Sequence, residues 1–386
     1  MPKIKRIECT LCKENIHFST IVPTPINPHL LVPDFSELSV TYGGGSIKRN
    51  GIYDQVMELL NKDGKRVVEF NGIMSNPTYA KVQEGAKLAK EEQVDFILAV
   101  GGGSVSDASK IISAQAKLDE DIWNLEMVDH KFPTGGIPMG VVVTASGTGS
   151  EMNNGAVITN EDKKIKAGVL GTLPSFAILN PEFTMTVPHG QVFSGAFDTL
   201  SHAMETYFGK SDRDNVSDDV ALAIMRNTVK NMRRLVENVE DLEARSNLMW
   251  DSAMAENGIL KVGRKTDFEA HQIEHQLGAY TDCNHGQGLA VIQPVYYRHI
   301  LNDASEKFER FAKEVFGKDT AQEGLDALGD LIKACHLPTK LNELRSTVEI
   351  TPELLRQVAD SANLVQTGPR TLTHDEIYDI LMECLD

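Results

Sequence analysis

The chain of 386 residues carries a formal net charge of −17 at pH 7, with 41% hydrophobic and 24% charged residues. This length can fill more than one domain, and the composition is ordinary for a soluble globular protein. The acidic balance argues against a nucleic acid or an anionic membrane as partner, because both favour a basic face.

The sequence predicts neither a signal peptide nor a membrane span. The opening residues "MPKIKRIECT" lead into no apolar run, and no stretch approaches 18 uninterrupted apolar residues. Five cysteines do not make a disulfide framework, and Cys9 and Cys12 form a C-x-x-C pair without the second pair that a structural zinc site needs. We therefore expect a cytoplasmic protein in a reducing compartment.

Short apolar runs alternate with helical patterns through the first half of the chain. Strands are predicted over "ELSVTY" (37–42), "KRVVEF" (65–70), "VDFILAV" (94–100), "GVVVT" (140–144) and "FAIL" (176–179). Helices are predicted over "IYDQVMELLNK" and after Asn76, which we take as an N-cap with Pro77 at the first helical position. This alternation predicts an α/β domain with a Rossmann-like parallel sheet between two layers of helices.

The second half has helical periodicity almost throughout. The pattern continues from about Gln191 in stretches such as "SGAFDTLSHAMETYF" and "DFEAHQIEHQLGAY", without a convincing strand pattern. We therefore divide the chain into an α/β nucleotide-binding domain, residues 1–187, and an all-helical metal- and substrate-binding domain, residues 188–386. A ligand site is expected in the cleft between them.

Glycine-rich turns follow three of the predicted strands. They read "YGGGSIKRNG", "VGGGSVSDASK" and "TASGTGSEMNN". Glycines let backbone N–H groups approach a phosphate closely, and a helix N-terminus adds a favourable dipole. One such turn is usually only a tight turn, and neither G-x-G-x-x-G nor the phosphate-loop motif occurs. Three of them at the carboxyl ends of parallel strands favour a bound dinucleotide.

The second half contains two pairs of metal donors at helical spacing. Asp198 and His202 are four residues apart, as are His271 and His275, and His285 follows in "TDCNHGQG". One carboxylate with up to three histidines suits a divalent ion such as iron or zinc. Spacing alone leaves open which of the three later histidines are ligands.

The stretch "HQIEH" (271–275) also admits a different interpretation. H-x-x-E-H is the signature of an inverted zinc protease, in which two histidines hold zinc and Glu274 activates water. Such a protease would hydrolyse peptides without a nucleotide. It would need neither the glycine-rich turns nor Asp198, so the sequence as a whole favours a nucleotide-dependent enzyme.

Four motifs in a fixed order resemble those of the iron-containing alcohol dehydrogenase family. They are "GGGSVSDASK", "GTGSE", "DTLSHAMETY" and "HQIEHQLGAYTDCNHGQGLA", and the resemblance covers nearly the whole chain from about Thr41 onward. The stretch "TYGGGSIKRNG" is similar to the branch of NADP-preferring butanol dehydrogenases and broad-range aldehyde reductases. The first forty residues depart from the family's usual opening, which leaves the sheet edge and any dimer contact there open.

The resemblance implies one divalent metal, Fe²⁺ in preference to Zn²⁺, and a set of ligands. The implied ligands are Asp198, His202, His271 and His285. His275 would face the substrate instead, and it is the candidate catalytic residue for delivering a proton, with the cofactor ribose or ordered water as the alternative routes. Glu274 would be a helix-surface residue or a neighbour of a ligand.

The resemblance also implies where the cofactor binds. The implied residues, from the pyrophosphate to the nicotinamide end, are Gly102, Gly103, Ser104, Asp107, Thr144, Thr148, Asn153 and Lys166. NAD-preferring relatives carry an aspartate where Gly43 stands, so no carboxylate would repel a 2′-phosphate next to Gly44, Ser46 and Lys48. We therefore expect NADP(H) in preference to NAD(H).

These features predict a metal-dependent alcohol dehydrogenase or aldehyde reductase acting on short- to medium-chain aldehydes or primary alcohols. A zinc polyol dehydrogenase similar to glycerol dehydrogenase is the alternative within the same fold, and the zinc protease is the alternative outside it. The predicted substrate-lining residues are Trp123, Phe197, Tyr280 and Cys283. We expect the enzyme to form a homodimer.

Overall fold

The computed structural model describes residues 19–21, 35–210 and 214–385, and Cys9 and Cys12 lie outside these ranges. The described strands are β1 Ser19–Ile21, β2 Glu37–Tyr42, β3 Arg66–Phe70, β4 Phe96–Gly101, β5 Met139–Val143, β6 Gly155–Asn160, β7 Ile165–Leu170 and β8 Phe176–Leu179. They form a six-stranded sheet in the order β1-β8-β5-β4-β2-β3 and a separate hairpin of β6 and β7.

The main sheet is parallel from β3 to β8, as the sequence predicts, and its edge strand β1 is antiparallel. Every residue of β4 is buried, which explains the continuous apolar run "FILAV" in a strand covered on both faces. Because parallel strands end at the same edge, the three glycine-rich turns after β2, β4 and β5 meet there.

The sequence prediction does not contain the hairpin. Its strands are joined by the charged stretch "EDKK", which lacks the Asn-Gly or Asp-Gly pair that signals a tight hairpin turn. Lys164 takes the left-handed conformation there instead, at φ 51°. β6 packs against the helix that follows β4, so the hairpin covers the edge where the glycine-rich turns lie.

The helices of the first half follow the predicted alternation. They are α1 Ser46–Arg49, α2 Ile52–Lys62, α3 Tyr79–Glu91, α4 Gly103–Gln115 and α5 Ile122–Met127. The prediction of Asn76 as the N-cap of α3 is wrong, because Thr78 is the N-cap and its hydroxyl accepts a hydrogen bond from Lys81 N at 3.3 Å. The Asn76 amide instead donates to Asp282 Oδ1 at 2.7 Å, which ties the first half to the second.

The described part of the second half is built from helices and short 3₁₀ or π turns, which confirms the predicted helical domain. Its helices are α6 His189–Phe208, α7 Val216–Glu237, α8 Leu242–Glu256, α9 Glu269–Thr281, α10 His285–Ile300, α11 Ser305–Phe311, α12 Ala321–Ala334, α13 Pro352–Ser361 and α14 His374–Glu383. Their core contains the stacked rings of Phe208 and Phe308, 4.1 Å apart. Across the described residues, no helix combines the length and the apolar character that crossing a membrane requires.

Helix α6 lies directly against the third glycine-rich turn. Gly147 has a φ of 155°, and a Cβ atom there would lie 2.6 Å from Cα of Gly195 in α6. A Cβ atom on Gly195 would lie 2.2 Å from the backbone oxygen of Ser146. The Thr199 hydroxyl donates to Gly147 O at 3.1 Å. The two glycines therefore let the sheet edge and α6 touch backbone to backbone, which brings Asp198 to the edge with the glycine-rich turns.

Replacing Gly195 with alanine is expected to lower the free energy of unfolding by about 1–3 kcal/mol, because the new methyl group would overlap the Ser146 carbonyl. Gly329→Ala in α12 is the matched control, since its Cβ atom meets nothing within 4 Å. The control should stabilise the protein by about 0.5–1 kcal/mol through helix propensity. Urea denaturation followed by circular dichroism measures both changes, and equal stabilisation by the two alanines would contradict the contact.

Candidate functional site

Two cavities follow one another along the edge where the glycine-rich turns meet the helices of the second half. The smaller, of about 220 Å³, lies among the turns after β2, β4 and β5 and the segment that enters α6. The larger, of about 270 Å³, lies among the hairpin, the start of α4 and the predicted metal ligands of α6, α9 and α10. The second and third glycine-rich turns contribute residues to both cavities.

The smaller cavity and its surroundings contain the predicted pyrophosphate-binding residues. The predicted cofactor residues that line it are Gly43, Ser46, Gly102 and Thr144. Helix α4 begins at Gly103, so its first backbone N–H groups have no partner within the helix. A Cβ atom on Gly103 would lie 2.3 Å from Thr148 Oγ1, so the second turn packs tightly on the third. Such a helix N-terminus favours an anion such as a pyrophosphate.

Three of the predicted cofactor residues, Gly44, Lys48 and Gly103, line neither cavity. Lys48 Nζ lies 3.1 Å from Glu69 Oε2. The sequence prediction considered only the residue at the end of β2 and did not include this carboxylate beside Lys48. Glu69 belongs to β3, the strand that pairs with β2. The residues that follow β2 in the sequence therefore do not reveal that Glu69 lies next to Lys48.

The larger cavity brings the remaining predicted residues together. Its predicted cofactor residues are Ser104, Asp107, Thr148, Asn153 and Lys166. Its predicted metal and catalytic residues are Asp198, His202, His271, His275 and His285. Side chains from both halves of the chain, far apart in sequence, therefore line one cavity.

Asp107 and Lys110 hold the hairpin against α4. The Asp107 carboxylate accepts hydrogen bonds from the Ser150 hydroxyl and, at 2.8 Å, from Val157 N. Lys110 Nζ donates to Ser150 Oγ at 2.7 Å and to Gly155 O at 2.6 Å. Burial lowers the pKa of Lys110 to about 8. The hairpin is thereby fixed as one wall of the larger cavity.

The predicted metal ligands face one another across the larger cavity. Asp198 Oδ1 lies 3.8 Å from His202 Nδ1, 3.7 Å from His271 Nε2 and 3.4 Å from His285 Nε2. These separations are long for hydrogen bonds, but they are close to the roughly 3.4 Å between ligand atoms of a tetrahedral ion with bonds of about 2.1 Å. The Asp198 oxygen and the His202 and His271 nitrogens are buried without a hydrogen-bond partner among the described residues. The donor set therefore fits a divalent cation.

Buried carboxylates hold two of these histidines from behind. Glu205 accepts a hydrogen bond from Ala270 N at 2.8 Å through Oε1, and its Oε2 contacts His271 Nδ1. Glu274 Oε2 contacts His285 Nδ1 in the same way. Because a carboxylate takes the hydrogen bond from Nδ1, Nε2 of each ring is left as an electron-pair donor that faces the other ligands.

Glu274 is fully buried, so it is not a helix-surface residue, and it contacts His285, one of the predicted ligands. Lys166 Nζ lies 3.3 Å from Glu274 Oε2. Burial opposes the ionisation of Glu274, but His285 and Lys166 hold the pKa of its carboxyl below the usual value. A carboxylate engaged by both partners is not placed to activate water, as the zinc-protease alternative requires.

The charges around the predicted ligands keep Asp198 ionised and His275 neutral. Burial opposes the ionisation of Asp198, but His202 and His285 hold the pKa of its carboxyl well below the usual range. Burial, followed by the charge of Lys166, lowers the pKa of His275 well below its ordinary value. His275 Nδ1 is buried and has no hydrogen-bond partner within the described part of the chain. It can therefore accept a proton or a hydrogen bond from a ligand in the cavity.

The predicted substrate-lining residues do not border the larger cavity. They are Trp123, Phe197, Tyr280 and Cys283. Trp123 packs on the ring of Tyr79, with centroids 5.5 Å apart, and Phe197 is fully buried in the helical core. Phe268 lines the cavity instead, held at φ 61° immediately before α9. Apolar periodicity marks a residue as buried, but it does not show whether the residue faces a cavity.

Glu205 is a site residue that sequence reasoning missed. It lies three residues after His202 on α6, in the same motif "DTLSHAMETY". A carboxylate one helical turn from a candidate ligand was the available signal, because histidine ligands are usually oriented by such a group. Its partner His271 lies on another helix, so this contact could not be read from spacing.

Family models match both halves of the chain. Residues 31–181 match the model described as iron-containing alcohol dehydrogenase, and residues 192–385 match the C-terminal model of the Fe-containing alcohol dehydrogenase family. The chain therefore belongs to the iron-containing alcohol dehydrogenase family, as its motifs predict, and it is an oxidoreductase of the metal-dependent class.

Some similar proteins are named as NADH-dependent and others as NADPH-dependent. The chain is 38% identical over 370 residues to the probable NADH-dependent butanol dehydrogenase 1 of Bacillus subtilis, covering 93% of this chain and 94% of the relative. It is 32% identical over 359 residues to the NADPH-dependent aldehyde reductase YqhD of Escherichia coli, with coverage of 90% and 91%. The crystal structure of NADH-dependent butanol dehydrogenase A of Thermotoga maritima has a TM-score of 0.85 at 35% identity, with coverage of 91% and 92%.

Replacing Glu205 with glutamine is expected to weaken metal binding about 10- to 100-fold. With the glutamine oxygen bound to Ala270 N, its amide nitrogen would face His271 Nδ1 and could not accept a hydrogen bond from it. His271 would then favour the tautomer that carries its proton on Nε2. That proton would occupy the lone pair through which the metal should bind. Competition between the protein and a chromophoric chelator for Zn²⁺ measures the affinity without turnover. Glu126→Gln is the control, since this carboxylate accepts from Leu170 N at 2.8 Å and does not line the larger cavity. Unchanged affinity in a folded Glu205→Gln protein would contradict the orienting role.

Proposed function

We propose that this chain transfers a hydride between NADP(H) and short- to medium-chain aldehydes or primary alcohols. The observation that carries the proposal is that the predicted metal ligands and the predicted nicotinamide-end residues line one cavity of about 270 Å³. The substrate class is supported by relatives named as butanol dehydrogenases and an aldehyde reductase.

The proposed metal ligands are Asp198, His202, His271 and His285. The ion would be Fe²⁺ in preference to Zn²⁺, in keeping with the family's name and with a donor set of one carboxylate and three imidazoles. A bound ion supplies Lewis-acid polarisation of the substrate carbonyl. The chain's own contribution is to fix the donors, through the buried carboxylates of Glu205 and Glu274, and to surround the reacting groups with the hairpin and α4.

The proposed cofactor site runs along both cavities. Gly102 and Gly103 at the start of α4 would bind the pyrophosphate through backbone N–H groups. Asn153 and Lys166 would lie beside the ribose and nicotinamide, where they line the cavity that also contains the metal ligands. NADP(H) would be preferred over NAD(H) because Gly43 offers no carboxylate at the end of β2. The pairing of Lys48 with a carboxylate makes that preference a modest one.

His275 is proposed as the catalytic residue that passes a proton to or from the substrate oxygen. Its support is a buried, neutral imidazole with Nδ1 free of partners among the described residues, in the cavity lined by the predicted ligands. A neutral imidazole in this position can receive a proton when an alcohol is oxidised and return it when an aldehyde is reduced.

The same proposal includes a cytoplasmic homodimer whose two domains divide between residues 187 and 188. The cysteines within the described ranges are free and buried, as suits a reducing compartment. β1 forms one edge of the main sheet, and an edge strand offers backbone groups with which a second copy can pair.

Protein stripped by a chelator and reloaded anaerobically with Fe²⁺ or Zn²⁺ is expected to oxidise NADPH when butanal is supplied, and to oxidise NADH more slowly. The stripped protein should be inactive, because the carbonyl then lacks its Lewis acid. Absorbance at the nicotinamide band measures the rate, and glycerol with the oxidised cofactor serves as the comparison for a polyol dehydrogenase. Absence of turnover with either metal and either cofactor would overturn the proposal.

His275→Asn is expected to lower kcat by about 10²- to 10⁴-fold, the usual contribution of a general acid or base. It should also change the pH profile of kcat/KM, whereas a purely structural defect would lower the whole profile evenly. His299→Asn is the control, because this surface histidine bonds Glu383 at 2.9 Å, outside the two cavities. Full activity with an unchanged profile in His275→Asn would exclude the proton-transfer role.

A further inference from the structure

Four side chains form a compact group beside the smaller cavity, which we call the Glu69 group: Tyr42, Lys48, Tyr53 and Glu69. Glu69 Oε1 accepts a hydrogen bond from the Tyr53 hydroxyl at 2.7 Å. Glu69 Oε2 accepts from the Tyr42 hydroxyl and from Lys48 Nζ, the latter at 3.1 Å. Lys48 Nζ also lies 4.3 Å from the ring centroid of Tyr53. The carboxylate therefore has three donors, and the ammonium group has one anion and the faces of two aromatic rings, those of Tyr42 and Tyr53.

The Glu69 group stands at the end of the cofactor groove away from the proposed metal. Tyr42 is followed by Gly43, and Lys48 lies on the same short helix as Ser46, so members of the group adjoin two residues that line the smaller cavity. In open α/β sheets the ribose 2′-position is recognised by residues at the carboxyl end of a strand beside the glycine-rich turn. The Glu69 group occupies that kind of position.

The group presents one negative and one positive charge side by side. Hydrogen bonds from Tyr42 and Tyr53 lower the pKa of Glu69 below its usual value, so its carboxylate is charged at pH 7. Hydrogen bonds to Tyr42 and Glu69 raise the pKa of Lys48, so its ammonium group is charged as well. A 2′-phosphate is attracted by Lys48 and repelled by Glu69, whereas a 2′-hydroxyl can donate a hydrogen bond to the carboxylate.

We infer that Glu69 is a specificity-determining residue that, by pairing with Lys48, keeps the site open to NAD(H) as well as NADP(H). This inference rests on the proposed function. Removing the charge of Glu69 would free Lys48 for the phosphate and would leave only a weaker, neutral acceptor for the 2′-hydroxyl. Both effects shift selectivity toward NADP(H).

A purely structural role for the group predicts a different result. Tyr53 belongs to α2 and Glu69 to the edge strand β3, so their hydrogen bond also fastens the helix to the sheet. Loss of this hydrogen bond would lower the stability of the protein, or it would lower turnover equally with NADPH and with NADH. It would leave the ratio between the two cofactors unchanged.

The experiment compares Glu69→Gln with Glu92→Gln in the metal-loaded full-length enzyme. Glu92 is the matched control, because it is a surface carboxylate paired with Arg66 at the start of β3 and its replacement removes the same charge. The measured quantity is the ratio of kcat/KM for NADPH to kcat/KM for NADH, with butanal, at low and high salt. Glu69→Gln should raise the ratio about fivefold or more at low salt and less at high salt, because salt screens exposed charges. Lys48→Met should lower it, and the control should leave it unchanged.

Direct binding of NADPH and NADH, followed by cofactor fluorescence, separates this inference from the proposed function. If the wild-type protein binds neither cofactor, the proposed function itself is overturned. If it binds both and Glu69→Gln leaves the ratio of affinities unchanged, the inference alone is overturned. If Glu69→Gln does not fold, Lys48→Met tests the inference instead, because loss of the ammonium group should lower the preference for NADPH. An unchanged ratio in Lys48→Met would then overturn the inference.

Discussion

The buried, ionised carboxylate of Asp198 requires positive charge close to it, and the rest of the site is arranged around that requirement. Asp198 is buried, and its Oδ1 has no hydrogen-bond partner among the described residues. An unpaired charge in such a position is strongly unfavourable unless a cation compensates for it. His202, His271 and His285 stand at 3.4–3.8 Å from that oxygen, with nitrogen atoms turned toward it. The arrangement therefore favours positive charge close to Asp198. The imidazoles can carry that charge themselves, and the proposed divalent metal would supply it while leaving the histidines neutral.

Contacts between the two halves join the proposed metal site to the proposed cofactor groove. The backbone approach of Gly147 to Gly195 brings α6 to the glycine-rich edge, and Lys166 on the hairpin pairs with Glu274, which in turn contacts His285. Each link connects a residue of the nucleotide-binding half to an element that carries a proposed ligand. Under the proposed function, packing across the cleft would set the distance between nicotinamide and metal, so substitutions in these links should affect the binding of both.

The sequence contains the elements of this site but not the contacts that complete it. Helical spacing was enough to pair Asp198 with His202, because both lie on one face of one helix. Glu205 and Glu69 act through partners on other elements, His271 and Lys48, and those neighbours exist only after packing. Continuous apolar runs predict three strands of the parallel sheet, β4, β5 and β8. No such signal predicts the hairpin, since its turn has none of the residues that usually mark one.

The most direct test of the central claim, that one divalent ion binds at Asp198 and the three histidines, is an anomalous difference map at the iron absorption edge. Crystals of protein loaded anaerobically with Fe²⁺ would supply it. A single peak about 2.0–2.3 Å from the four proposed ligand atoms is expected. The nearby group of Glu274, His275 and His285 also brings three donor atoms within 4.8 Å of one another. A peak centred on Glu274 and His275 instead, or no peak in the cavity, would contradict the proposed ligand set.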